Sequence, residues 1–480
     1  MSIPLHKKHK SAKHSAKAKK KQQHGDRVAL LLANNKGQVF ENPTLEAVVD
    51  DGIAPRPATP LDMIPLPHGW EIMHLPSVRP MGFDRQTGRI KVLESCDLGD
   101  GPFVPQAVAI HPPPSYVRSH FPGAKYLDLD EDGANPKAPR PGLPLWGFTA
   151  VGAYDGRNVA ALFQADELSR WDPPLFNLPE LGQGIDERLQ AHPDNVVLQQ
   201  LSQCSREYNC HCSQNIFYGR WEGALPIAPS CNAACLGCLS REPEWDAPVP
   251  QYRLRVAPSV KDIAEVIVDH LQRADEGMVS FGQGCEGEPT MRGDDLVDAI
   301  ALARQKTQRG VINLNTNGSR PDVVERCVKA GLGALRVSIN TFDEKVFSKY
   351  YRPHGFTLQD SIQSLRVAHN LGAYTSINFL LWPGWTDRPQ EMDAISALVD
   401  EGILDMVQLR NLCVDPQHYN ALLPKERGRR LGMRGFVLEL AARHPQLRFG
   451  TFNPRLGADW YEALPKLPMA DLLPGGDFGS

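Results

Sequence analysis

The second half of the sequence alternates short strands with helices, and this rhythm limits the available folds more than any other feature. From residue 221 onward, apolar segments such as 334–340 alternate with amphipathic segments such as 259–272, where Ser259 and Asp262 resemble a capping box. Six strand–helix units fit this part of the chain. Parallel strands with right-handed helical crossovers follow from that order. The pattern predicts an α/β fold, an open partial (β/α)6 barrel whose active site lies at the carboxyl ends of the strands.

The first third of the chain has a different pattern from the second half: it predicts short strands and tight turns, and it contains clusters of proline. Hairpins are predicted around the turns at 35–37 and 155–156. We therefore expect an N-terminal β-rich accessory domain ahead of the barrel. The predicted organisation is a basic disordered tail at 1–25, the accessory domain at 26–164, a connector with a cysteine cluster and one helix (185–203) at 165–220, the barrel at 221–454 and a C-terminal tail at 455–480.

Composition favours a protein of a reducing compartment. No apolar stretch approaches the roughly 20 residues of a membrane helix, and the N-terminus lacks the apolar segment of a secretory signal, so we expect no membrane association. Seven of the ten cysteines are crowded into residues 204–285. Clustered cysteines without a secretory signal are more often metal ligands than disulfides. A cytoplasmic location is the expectation.

The tail at residues 1–25 holds eight lysines and no acidic residue, which leaves a net charge of −12 on the rest of a chain whose total is −4. A segment this polar cannot bury apolar surface, so disorder is expected. Two interpretations stay open for it. The tail is either a solvated extension without a dedicated partner, or a segment that attracts RNA or another polyanion through counterion release.

The most informative motif is C-x3-C-x2-C, formed by Cys231, Cys235 and Cys238. A structural zinc site normally takes four protein ligands, and a [4Fe–4S] cluster needs four iron ligands. Three cysteines leave one iron of such a cluster with an open position. The motif directly follows the first predicted strand at 224–229, so the open iron would face the predicted active site.

A C-x3-C-x2-C motif after the first strand of a partial (β/α)6 barrel resembles the radical S-adenosylmethionine (SAM) superfamily, over about residues 221–454. The resemblance implies that Cys231, Cys235 and Cys238 hold a [4Fe–4S] cluster whose open iron binds SAM. It also implies reductive cleavage of SAM to methionine and a 5′-deoxyadenosyl radical, which abstracts hydrogen from a substrate. A reductant such as flavodoxin or ferredoxin is the implied electron source.

The segment 284–291, GCEGEPTM, is similar to the Gly-Gly-Glu-Pro motif of the same family, with Glu286 in place of the first glycine. In relatives this edge binds the methionyl amino group of SAM. The resemblance therefore implies that Gly287, Glu288 and Pro289 are cofactor-binding residues.

The fourth predicted strand supplies a second set of SAM contacts by the same resemblance. Ser338 and Asn340 occupy positions that contact the SAM ribose or carboxylate in relatives, and ordinary strand-end hydrogen bonding is the alternative for both. The segment 350–355, YYRPHG, also recurs after that strand in the family. Further inward-facing candidates for substrate contacts are Asn315, Asn317, Gln408, Arg410 and Asn411.

Cys204, Cys210 and Cys212 form a second group immediately before the barrel. They could ligate a second iron–sulfur cluster, with Cys285, His211 or a small molecule as the remaining ligand. A zinc site or unligated buried thiols are the alternatives. Cys285 lies within the turn that resembles the SAM-binding motif, which makes it a candidate catalytic residue as a hydrogen donor, a ligand, or a packed side chain.

The expected function is that of a radical SAM enzyme acting on an unidentified small-molecule or macromolecular substrate. Two alternatives stay open within the superfamily: an RNA-modifying enzyme, which the lysine tail favours, and a sulfur-inserting enzyme, which a second cluster would favour. An alternative of another class is a non-catalytic iron–sulfur or zinc protein that acts as an RNA-associated scaffold.

Overall fold

The computed structural model describes residues 27–75, 78–99, 101–126, 146–167, 170–241, 249–425 and 427–456. The predicted basic tail at 1–25 and nearly all of the predicted C-terminal tail lie outside these residues. Within the described segments, no helix is both long and apolar enough to cross a membrane.

The N-terminal region is rich in antiparallel strands, as predicted. Both hairpins predicted from the sequence are present, and the one that turns at Asp155 and Gly156 joins Val151–Tyr154 to Arg157–Ala160. Most strands of the region share a ten-stranded sheet. The strands are β1 Ala29–Ala33, β2 Val39–Asp50, β3 Pro55–Pro57, β4 Ile64–Pro65, β5 Met73–Leu75, β6 Val78–Asp84, β7 Arg89–Val92, β8 Cys96–Asp97, β9 Pro102–Phe103, β10 Ala107–Ala109, β11 Tyr116–Arg118, β12 Phe121–Pro122, β13 Ala124–Tyr126, β14 Val151–Tyr154, β15 Arg157–Ala160 and β16 Leu162–Gln164.

The described part of the connector contains three helices, and the single helix predicted at 185–203 is wrong because two helices with a break between them occupy that range. The helices are α1 Leu181–Ala191, α2 Val196–Glu207 and α3 His211–Tyr218. The break between α1 and α2 contains Pro193, whose ring cannot continue a helix. Asn195 then starts α2, because its side chain accepts a hydrogen bond of 3.1 Å from the backbone N–H of Leu198.

The second half forms one parallel sheet of seven strands, one more than the six predicted units. The strands lie in chain order, as β17 Arg220–Ala224, β18 Asp275–Phe281, β19 Val311–Thr316, β20 Ala334–Ile339, β21 Tyr374–Leu381, β22 Met406–Asn411 and β23 Arg448–Gly450. The first strand also lies earlier than the predicted 224–229. Pro226 and Pro229 have no backbone N–H to give to a sheet, so the strand ends before them.

Helices connect these strands as the βα pattern requires. They are α4 Val260–Arg273, α5 Gly293–Lys306, α6 Pro321–Ala330, α7 Glu344–Tyr351, α8 Leu358–Asn370, α9 Pro389–Asp400, α10 Pro416–Asn420 and α11 Met433–Arg443, with short 3-10 turns at Pro60–Asp62, Pro173–Leu175 and Pro289–Arg292. The predicted capping box of α4 is confirmed, because Ser259 Oγ accepts from the Asp262 N–H at 3.1 Å while the Asp262 carboxylate accepts from the Ser259 N–H at 3.1 Å.

The β-rich region packs on the barrel through a continuous apolar core. The fully buried Arg118 links the two parts: it donates from Nη1 to the carbonyl of Phe148 at 3.2 Å and from Nη2 to the carbonyl of Leu412 at 3.1 Å. Its guanidinium also lies 4.4 Å from the ring centre of Phe121 and 5.4 Å from that of Trp382. The N-terminal region is therefore anchored beside the carboxyl end of β22, at the edge of the sheet where the site lies.

Candidate active site

The cysteine loop, residues 230–241, begins at the carboxyl edge of the sheet, a few residues after β17. Its backbone is fastened to the end of α7. The N–H of Ala234 donates to the carbonyl of Tyr351 at 2.9 Å, and the N–H of Leu236 donates to the carbonyl of Tyr350 at 2.9 Å. The segment 350–355, identified in the sequence by resemblance, therefore holds the loop through backbone contacts. Its role here is to position the three thiols.

The three thiols of the loop lie close enough to influence one another. Burial and, to a smaller extent, the nearby carboxylate of Glu288 raise the pKa of Cys231 to about 11. Burial, followed by the neighbouring thiols of Cys238 and Cys231, raises the pKa of Cys235 well above its usual value. One cation reaches this group, because Arg253 Nη2 donates to Cys238 Sγ at 3.6 Å. Metal binding here would require loss of the thiol protons.

The three thiols of the loop have the chemistry of cluster ligands. Cysteine thiolates are the usual ligands of a [4Fe–4S] cluster, and Cys231, Cys235 and Cys238 are partly buried in one short loop. Among the described residues, no three His, Cys, Asp or Glu side chains are arranged as a group that could hold a metal ion. Three thiols would supply three of the four iron ligands that such a cluster needs.

The Gly-Glu-Pro turn, residues 282–289, lies directly against the cysteine loop. Gly287 donates from its N–H to the carbonyl of Ala228 at 2.6 Å, and Glu288 donates from its N–H to the carbonyl of Ser230 at 2.9 Å. A Cβ atom at Gly287 would lie 1.9 Å from the carbonyl oxygen of Ser230. Only glycine permits this approach, so the turn and the loop are joined immediately before Cys231.

Glu286 occupies the position where the family motif has glycine. Its carboxylate forms hydrogen bonds with the segments that follow two neighbouring strands. It accepts hydrogen bonds from the N–H groups of Ile227 at 2.7 Å, Ala228 at 2.8 Å and Gly282 at 2.5 Å. Burial raises the pKa of Glu286 to about 8 even though three donors favour the charged form. The residue that departs from the family motif therefore joins, by buried hydrogen bonds, the segments that follow β17 and β18.

The Glu288 carboxylate is also occupied by the protein itself. Its oxygens accept from Thr290 Oγ1 at 2.7 Å, Thr316 Oγ1 at 2.6 Å and the N–H of Asn317 at 2.8 Å. Burial raises the pKa of this group as well. Pro289 is buried and opens the following 3-10 turn. The side chain of Glu288 therefore joins the turn after β18 to the end of β19.

The predicted residues of the fourth strand lie at the same edge. Asn340 is fully buried, and its Nδ2 donates to the hydroxyl of Tyr419 at 3.1 Å. Ser338 lies opposite Asn378 of β21 in the sheet register. Asn340 Oδ1 and Asn378 Oδ1 are buried and lack a hydrogen-bond partner within the described part of the chain. Buried polar atoms normally have partners, so these two acceptors suit a polar ligand.

Two cysteines of the second group, Cys204 and Cys210, lie near Cys285. Cys204, fully buried on α2, accepts a hydrogen bond from the Cys285 thiol, and this contact lowers the pKa of Cys204. Gln200 Nε2 donates to Cys204 Sγ at 3.4 Å. Cys210, which precedes α3, lies near Cys204, and Cys212 follows within α3. All four thiols are free.

The other residues predicted to contact the substrate form different contacts in the structure. Asn317 Nδ2 donates to Asn232 Oδ1 of the cysteine loop at 2.8 Å. Asn411 is used at the junction with the N-terminal region, where its Oδ1 accepts from the N–H of Arg118 at 2.8 Å. Three residues that make contacts inside or beside the site were not identified from the sequence: Glu222, Arg336 and Arg253. Of these, only Arg336 carried a recognisable signal, because it is an arginine within an apolar strand.

Comparison with known proteins points to one family. Residues 225–394 match the family model described as the Radical SAM superfamily. No curated protein is similar enough to the sequence to count as a match. Similar solved structures include methylornithine synthase (PylB), at 15% identity over 56% of this chain and 78% of that chain with a TM-score of 0.34. The FeFe-hydrogenase maturase HydG from Carboxydothermus hydrogenoformans has 11% identity, 56% and 68% coverage and a TM-score of 0.35.

Streptococcus suis SuiB has 17% identity, with coverage of 54% of each chain and a TM-score of 0.33. Scores this low carry no argument about function. The assignment depends on the family model, whose matched segment holds the cysteine loop, the Gly-Glu-Pro turn and strands β18 to β21. Residues 225–394 of the chain therefore form a domain that matches the Radical SAM superfamily.

Proposed function

We propose that this enzyme reductively cleaves SAM at a [4Fe–4S] cluster held by Cys231, Cys235 and Cys238, and that the product radical removes a hydrogen atom from a substrate. One observation carries the proposal. The three-thiol loop is clamped between the Gly-Glu-Pro turn and the end of α7, at the carboxyl edge of the parallel sheet. When bound and reduced, the cluster would supply the electron that splits SAM into methionine and the 5′-deoxyadenosyl radical.

In this chemistry the protein binds and orients SAM and the substrate, and it excludes water from the site. The N–H groups of Gly287 and Glu288 are used within the protein, so the backbone carbonyls of this turn are the groups that would accept from the methionyl amino group of SAM. Asn340 is held through its Nδ2 by Tyr419, so its Oδ1 keeps a fixed direction and remains available to a donor such as a ribose hydroxyl or an amine. Ser338 lies two residues earlier on the same strand.

A second cluster, held by Cys204, Cys210 and Cys212 with Cys285, is part of the proposal. The contact between Cys204 and Cys285 supports it, because the two residues are distant in sequence and are brought together only by the fold. Because Cys285 contacts Cys204, we favour Cys285 as a cluster ligand over Cys285 as a hydrogen donor. A sulfur-inserting reaction is the second candidate function, because a second cluster next to the SAM-binding turn would be its source of sulfur.

RNA modification and a role for the tail at 1–25 in binding RNA are hypotheses based on the charge of the tail alone. A reductant of the flavodoxin or ferredoxin type is the proposed electron donor. Location in the cytoplasm stays a prediction from the composition.

The test is anaerobic reconstitution with iron and sulfide, followed by reduction in the presence of SAM. The enzyme should release 5′-deoxyadenosine slowly even without substrate. A non-catalytic scaffold would bind iron or zinc and release none, and that result would overturn the proposal. Mass spectrometry of cell extracts with and without the gene would then search for the substrate.

A further inference from the structure

Two arginine side chains, Arg336 on β20 and Arg410 on β22, lie on the inner side of the barrel sheet. Leu335 and Val337 of β20 are fully buried in the core beneath the helices. Successive side chains of a strand point to opposite faces, so Arg336 faces inward. Leu409 is buried in the same core, which puts Arg410 on the inner face of β22.

Arg336 is held by a chain of side-chain hydrogen bonds across the interior. Its Nη1 donates to Gln408 Oε1 at 2.5 Å, and Gln408 Nε2 donates to Asn453 Oδ1 at 2.6 Å. Asn453 Nδ2 then donates to Glu222 Oε1 at 2.7 Å, and Ser280 Oγ donates to the same oxygen at 2.6 Å. The chain fixes the position of the Arg336 guanidinium and occupies Glu222 with neutral donors.

Neither guanidinium forms an ion pair with a carboxylate of the described residues. Arg336 is only 6% exposed, and its Nε has no hydrogen-bond partner among them. The acidic groups nearest to Arg410 are Glu222 and Asp166, and Asp166 already accepts backbone N–H groups. Burial, followed by the charge of Arg410, lowers the pKa of Arg336 to about 10, so it stays protonated at neutral pH. The Cys212 thiol lies nearby.

The Glu222 carboxylate lies near both arginines but forms an ion pair with neither, so an anion between the two side chains would further offset the cost of holding two cations inside the barrel. The planar guanidinium fork matches carboxylate and phosphate oxygens. We propose that Arg336 and Arg410 bind an anionic group of the substrate, a carboxylate or a phosphate, inside the barrel. This inference rests on the proposed radical SAM function.

The position suits a substrate that is held at one end and reacts at the other. Ser338 lies on the same face of β20, two residues closer to the carboxyl edge, which is a rise of roughly 6–7 Å. A substrate with its anionic group at Arg336 would extend from there towards the SAM-binding edge. The arginine pair would therefore set both the class and the direction of the substrate.

The test is equilibrium dialysis of radiolabelled inorganic phosphate and, separately, succinate against reconstituted full-length protein at constant ionic strength. We expect one bound anion per chain, and the probe that binds more tightly identifies the phosphate or the carboxylate class. Arg336→Gln and Arg410→Gln should each weaken binding at least tenfold. Arg320→Gln is the matched control, because Arg320 is an exposed arginine that pairs with Asp322 outside the barrel.

Equal binding by all three variants, or no binding of either probe by folded wild-type protein, would overturn the inference. A fall in second-cluster iron without a change in anion binding would also overturn it, since the arginines would then only offset a thiolate at Cys212. If the glutamine variants do not fold, Arg336→Lys and Arg410→Lys keep the charge but lose the fork. Wild-type affinity in both lysine variants would contradict the proposal. Release of 5′-deoxyadenosine by the wild type reports separately on the proposed function.

Discussion

Asn453 Nδ2 donates a hydrogen bond of 2.7 Å to Glu222 Oε1, and this contact joins the segment after the last barrel strand to the first strand. β17 and β23 lie at opposite edges of the seven-stranded sheet and do not pair with each other. The two edges of the open barrel are therefore linked across its interior by side chains. Gln408 extends the link by donating to Asn453 Oδ1.

Asn453→Ala should lower the free energy of unfolding by about 1–3 kcal/mol, because it leaves Gln408 and Glu222 each without one buried partner. Urea unfolding followed by circular dichroism measures the effect. Asn158→Ala, on an exposed position of β15, is the control and should change stability by less than about 0.5 kcal/mol. Equal effects of the two substitutions would show that the link contributes nothing.

Replacing any one of Cys231, Cys235 or Cys238 by alanine should abolish release of 5′-deoxyadenosine while the chain stays folded. Each thiol supplies one of three iron bonds, whereas the core comes from the strands and helices. Iron content, product release and circular dichroism are the measurements. Cys96→Ala, in the β-rich region, is the matched control and should retain activity. Product release by the three single variants would refute the assignment of the cluster ligands.

Gly287→Ala should disrupt the site locally, because the added methyl group would lie 1.9 Å from the carbonyl oxygen of Ser230. We expect at least a tenfold loss of SAM affinity and a destabilisation of about 1–3 kcal/mol. Gly182→Ala is the control, since a Cβ atom there meets nothing within 4 Å and the residue lies in α1. That change should be neutral or stabilise by up to about 1 kcal/mol. Tight SAM binding by Gly287→Ala would contradict the close approach.

Glu286 should give the stability of the protein a specific dependence on pH. Its pKa is raised from 4.5 to about 8 by burial, so the folded chain binds a proton that the unfolded chain has released. The stabilisation from this proton is complete below pH 4.5 and is lost as the pH rises through about 8.

Urea unfolding between pH 5 and pH 8 compares the wild type with Glu286→Gln. The wild type should lose stability relative to the variant as the pH rises, by at most about 1.4 kcal/mol per pH unit. Parallel curves for the two proteins would show that Glu286 is charged in the folded state throughout this range.

If a second cluster is present, the iron content of the reconstituted protein should show it. Reconstituted wild type should hold about eight irons from two four-iron clusters, and the triple alanine variant of Cys204, Cys210 and Cys212 should hold about four. That variant should still cleave SAM but fail on the true substrate. Cys285→Ala should lower occupancy of the second cluster. About four irons in the wild type, with one zinc that disappears in the triple variant, would favour a structural zinc site.

Local sequence signals predicted the elements whose identity depends on neighbouring residues. The capping box at Ser259, the turn at Asp155 and Gly156 and most strand–helix units are confirmed. The position of the first strand was wrong, although Pro226 and Pro229 carried the information needed to correct it. The seventh strand, only three residues long, has too little pattern to be recognised.

The sequence by itself determined the resemblance of residues 225–394 to the Radical SAM superfamily and the parallel α/β order, because the cysteine spacing, the Gly-Glu-Pro motif and the helical and strand periods are properties of short segments. Tertiary structure alone decided which distant side chains meet. The contacts of Cys204 with Cys285, Glu222 with Asn453 and Arg336 with Gln408 join residues on separate elements. Such contacts depend on how the sheet curves and how the connector helices pack against it, and no local pattern encodes either.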